Sequence, residues 1–93
     1  MADLDDEIRR GREAELLMSN PMLKEALEMI ETRLKTEILA ADVNNADRLK
    51  TLVMHTQVVN SFKKLLKTAM DTGKLARIQK ETLAQSILRK VKG

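Results

Sequence analysis

Apolar residues recur at alternating steps of three and four between Ala46 and Thr72, the spacing of one helix face. Leu52, Val59, Phe62, Leu66 and Ala69 make the row, and His55, the single histidine, falls on the rung between Leu52 and Val59. Val58, Leu65 and Met70 flank the row, so the face is wider than a two-residue coiled-coil seam. Gly73 follows Asp71-Thr72 at the place where a left-handed cap commonly ends a helix. The pattern therefore predicts one long helix over about 46–72.

A second stripe precedes it. Leu23, Leu27, Ile30, Leu34, Ile38 and Ala41 share a face widened by Met22, Ala26 and Met29. Asn20 is a good N-cap, and Pro21 sits at the first helical position, where its missing N–H costs nothing. Asp42-Val43-Asn44-Asn45 is a short polar break in which Asn44 or Asn45 caps the next helix. Two helices of similar length joined by so short a break are expected to pack antiparallel. Helices over about 21–41 and 46–72 thus form a predicted helical hairpin.

The flanks are weaker. Asp3 to Met18 reads as an N-terminal helix whose first turn is acidic, as the helix dipole favours. Its stripe of Leu4, Ile8, Gly11, Ala14 and Leu17 or Met18 is thin. Gly11 either lets another backbone approach closely or marks a marginal segment that needs a partner. Residues 74–91 read as a basic C-terminal helix with Leu75, Ile78, Ala84, Ile87, Leu88 and Val91, either folded back on the hairpin or projecting from it. The expected fold is all-α, a single helical domain over 1–93.

Composition narrows the class. Charged residues make up 33% of the chain, and Phe62 is the only aromatic. Leu, Ile, Val, Ala and six Met then supply the apolar surface, which favours helix over sheet. The absence of cysteine removes disulfides and thiolate metal sites, and one histidine does not build a usual zinc site. No apolar run reaches the roughly 18 residues of a membrane span, and the N-terminus lacks signal-peptide features. A soluble intracellular protein without cofactor or metal is expected. Net charge is segregated: residues 1–42 hold six Lys/Arg against eleven Asp/Glu, net −5. Residues 43–93 hold eleven against three, net +8.

Catalysis finds few residues to carry it. His55 has no Cys, Tyr or Trp to work with, and Ser61, six residues on, does not share its helix face. A polar ring in an apolar row reads instead as a packed core or interface residue, which would make the fold acid-sensitive. Leu52, His55, Val59, Phe62 and Leu66 are the candidate protein-interface residues. Lys63, Lys64, Lys67, Arg77, Arg89, Lys90 and Lys92 are the candidate nucleic-acid-binding residues, acting on phosphate without stacking aromatics. Both long stripes are wider than one antiparallel partner covers, so a homo-oligomer is expected.

The segments RGREAELLMSNPML (Arg10 to Leu23) and MDTGKLA (Met70 to Ala76), with their spacing, resemble a group of small helical proteins encoded by tailed bacteriophages. Such proteins are commonly encoded near terminase or portal genes. The resemblance implies a phage origin and a role in virion assembly or genome packaging, in the host cytoplasm, the virion or both. It carries over no functional residue. The expected function is a non-enzymatic structural or assembly protein that self-associates and binds a larger virion or packaging complex. The alternatives are a nucleic-acid-binding accessory protein and a small inhibitor of a host protein.

Overall fold

The computed structural model describes residues 3–92, with side chains as far as Val91. Of these residues 92% are helical and none forms a strand. The fold is all-α, built from α1 (Leu4–Ser19), α2 (Pro21–Ala40) and α3 (Ala46–Lys92). The boundaries between them follow from capping chemistry. Asn20 has extended backbone, and its Oδ1 accepts from the backbone N–H of Met22 (2.8 Å) and of Leu23 (3.1 Å). Two of the orphan donors at the start of α2 are satisfied this way. Of the two candidate caps before α3, Asn45 acts: its Oδ1 accepts from the Arg48 N–H at 3.1 Å. Asn44 instead donates its N–H to Asp42 Oδ1 at 2.9 Å, which tightens the break.

The expected stop at Gly73 is corrected. α3 runs through it to Lys92 as one helix of 47 residues, so the helices anticipated over 46–72 and 74–91 are a single element. Gly73 does not adopt positive φ, hence no left-handed cap forms. Its missing side chain serves another purpose. A Cβ built on Gly73 would lie 2.8 Å from Gly11 Cα and 3.0 Å from the Glu7 carbonyl oxygen. The reciprocal holds at Gly11, where a Cβ would meet Gly73 Cα at 2.8 Å and the Ala69 carbonyl oxygen at 3.0 Å. Gly11 therefore permits close backbone approach, the first of its two readings.

The chain divides into two compact units, each drawing on α3. The first joins α1, up to Leu17, to α3 from Leu66 onward. Its two helices run antiparallel: Gly11 meets Gly73, and nearer the start of α1 Lys80 Nζ donates to Asp5 Oδ1 at 2.6 Å. Small residues set the seam, with Ile8, Gly11 and Ala14 buried on α1 and Gly73 and Ala76 on α3.

The second unit, Met18–Leu65, contains the helical hairpin of α2 and the first part of α3. Leu34 and Leu52 are its buried side chains, Leu52 at 1% exposure. Leu23, Leu27, Ile38, Leu49, Thr56 and Val59 are half-buried around them. Arg48 pairs with Glu37 (3.4 Å) and Lys63 with Glu31 (2.9 Å), which fixes the antiparallel register. All four side chains are close to half exposed, so these pairs mark register more than they add stability.

Candidate interaction surface

The row of α3 that α2 covers is shifted from the expected one. It is Leu49, Leu52, Thr56 and Val59, with Lys63 at the next step held by Glu31. Thr56, and not His55, fills the rung between Leu52 and Val59; His55 is exposed. The reason is hydrogen bonding. Thr56 Oγ1 donates to the Leu52 carbonyl at 3.0 Å, so its hydroxyl is satisfied within its own helix. An imidazole in that place would need a partner that neighbouring apolar residues do not offer. His55 stands about 60° round from Leu52, exposed within the single chain and on the side of Val58 and Phe62, so the burial inside the chain expected of it is absent.

Among the other proposed interface residues, Leu52 is buried and Val59 half-buried inside the hairpin, whereas Phe62 is exposed. Leu66 is half-buried in the unit built on α1. Leu52 and Val59 thus pack within the chain. Met22, Met29, Val58 and Leu65, which flank the expected stripes, are open to solvent, as are Ile30 from within the α2 stripe and Leu39, Val43, Val53 and Met54 outside both.

Their placement follows from helix geometry. At about 100° per residue, Met54, Val58, Phe62 and Leu65 stand roughly 80–160° round α3 from Leu52, all in one sense. Met22, Ala26 and Met29 stand roughly 80–140° round α2 from Leu34 in the same sense, and Ile30 about 40°. In an antiparallel pair, equal rotation from the seam points both rows to the same side. The ion pairs verify the handedness. Glu37 and Arg48 lie on the apolar side of the seam by this count and meet at 3.4 Å. Glu31 and Lys63 lie on the opposite side and meet at 2.9 Å. One side of the hairpin therefore gathers these apolar side chains, beside Arg33, His55 and the Glu37–Arg48 pair, with a groove on α2 between Met22, Met29 and Ile30. The other side carries Lys24, Glu28, Lys35, Asn60, Lys64 and the Glu31–Lys63 pair, with Leu39 and Val53 as its exposed apolar side chains.

The basic candidates are dispersed. Lys63 is engaged by Glu31, while Lys64 is exposed in the hairpin unit. Lys67, Arg77, Arg89 and Lys90 are exposed in the other unit, and the Lys92 side chain lies outside the described residues. Arg77 borders a groove between α1 and α3 floored by Ile8, Leu16 and Ala84 and rimmed by charges of both signs. Among the described residues no group of acidic or histidine side chains could hold a metal ion. No described helix is long and apolar enough to cross a membrane.

Comparison of the chain with protein-family models, with curated proteins and with solved structures yields no match.

Proposed function

We propose that this chain is a non-catalytic assembly protein of a tailed bacteriophage, which self-associates and joins a larger virion or packaging complex. The observation that carries the association is the one-sided apolar face of the hairpin. Val58 at 68% exposure and Leu65 at 70% lie on the same side as Met22 at 67%. So much apolar surface on one side of so thin a core marks a contact surface. The phage assignment rests on the resemblance of the Arg10–Leu23 and Met70–Ala76 segments.

Two measurements test this reading. Mass spectrometry of purified particles from the encoding phage is expected to find the chain at several copies per particle, or in packaging intermediates. Sedimentation at micromolar concentration is expected to give a mass above the 10.6 kDa of one chain. A monomer found in neither particles nor intermediates would overturn the proposal. A salt-dependent shift of duplex DNA, abolished by Lys64→Glu with Lys67→Glu, would favour the nucleic-acid alternative instead.

A further inference from the structure

We infer that the apolar side of the hairpin is occupied by a second copy of this chain, the two hairpins closing into an antiparallel four-helix bundle. The inference rests on the self-association reading above and adds the face, the partner and the arrangement.

Area is the first support. Met22, Met29, Ile30, Val58, Phe62 and Leu65 are 43–70% exposed. Their open surface totals on the order of 700 Å², close to the roughly 800 Å² per partner removed in a stable interface of standard size. Necessity is the second. The hairpin unit buries only Leu34 and Leu52. Two helices sharing one seam leave too little apolar surface covered to offset chain entropy, so the partner belongs to the folded state itself. A second copy is the partner present whenever the chain is made.

A two-fold axis parallel to the helices sets α2 of each copy beside α3 of the other and preserves heights. It brings Met29 toward the level of Phe62 in the second copy, a pairing that methionine and aromatic side chains favour. All four neighbouring pairs in the favoured arrangement are antiparallel, as in up-and-down bundles.

The test is sedimentation equilibrium on the full chain and three variants. Val58→Glu is expected to weaken dimerisation at least about a hundredfold by burying an unpaired charge twice. Val53→Glu, exposed on the other side of α3, is expected to leave it unchanged. Because Val58→Glu could unfold the hairpin, Met29→Ala supplies a variant that keeps the seam intact, Met29 being 64% exposed. It is expected to weaken the dimer roughly tenfold. An oligomer indifferent to both Val58→Glu and Met29→Ala overturns this inference while leaving self-association standing. A wild-type monomer at every concentration overturns both.

Discussion

Replacing Gly73 by leucine is expected to detach α1 from α3 and to cost about 2–3 kcal/mol of unfolding stability. The cause is backbone meeting backbone. The first side-chain carbon would stand 2.8 Å from Gly11 Cα and 3.0 Å from the Glu7 carbonyl oxygen, and neither atom belongs to a side chain that could rotate away. The alanine variant tests the sign. Gly73 lies inside α3, where alanine is favoured over glycine by about 1 kcal/mol of helix propensity. An isolated helix would therefore gain from Gly73→Ala. The close crossing reverses this, and Gly73→Ala is expected to lose about 1 kcal/mol net. Urea unfolding followed by circular dichroism measures the loss, and hydrogen exchange locates it as lost protection in α1. A Gly73→Ala protein more stable than its parent would mean that the two helices do not cross at this distance.

Leu52→Ala carries the other large effect. Leu52 is 1% exposed, the most buried large side chain of the hairpin. Truncation removes its contacts with the α2 side of the seam and leaves a cavity that two helices close only in part. The expected cost is about 3 kcal/mol, against under about 0.5 kcal/mol for Val53→Ala one residue further on. Val53 is 47% exposed, so the pair of variants separates seam from surface on a single helix turn. Equal effects at the two positions would place the seam elsewhere.

The sequence marks element boundaries better than it marks what each helix face meets. Asn20-Pro21 and Asn45 state their role locally, since a cap and its acceptor geometry lie within three residues. The hairpin follows from the short break at 42–45. Gly73 was ambiguous for a physical reason: a glycine that caps a helix and a glycine that lets another helix approach look alike within their own segment. What distinguishes them is Gly11, on another helix. A signal did exist in the matched small-residue pairs, Gly11 with Ala14 and Gly73 with Ala76, each three residues apart. Small residues on one face of each of two helices allow close crossing.

The His55 rung failed differently. The expected row passes through Phe62, the largest side chain, whereas the seam passes through Lys63, one position further round the helix. A strict alternation through Leu49, Leu52, Thr56, Val59, Lys63 and Leu66 was present in the sequence, with Thr56 and Lys63 disguising it as polar. Each is accommodated by a contact the pattern does not display. Thr56 bonds its own helix carbonyl, and Lys63 reaches Glu31 on α2. With the seam set there, Phe62, Val58 and Leu65 turn outward and join Met22 and Met29 on one side. That face was legible only as excess width on both stripes, because which side is open depends on where the partner helix lies.

The dependence of thermal unfolding on protein concentration tests most directly whether folding and association are coupled. If the apolar side of the hairpin is covered by another copy, the midpoint by circular dichroism rises with concentration, by mass action on the folded oligomer. A midpoint constant across a hundredfold range of concentration, with cooperative unfolding of a 10.6 kDa monomer, would contradict the account.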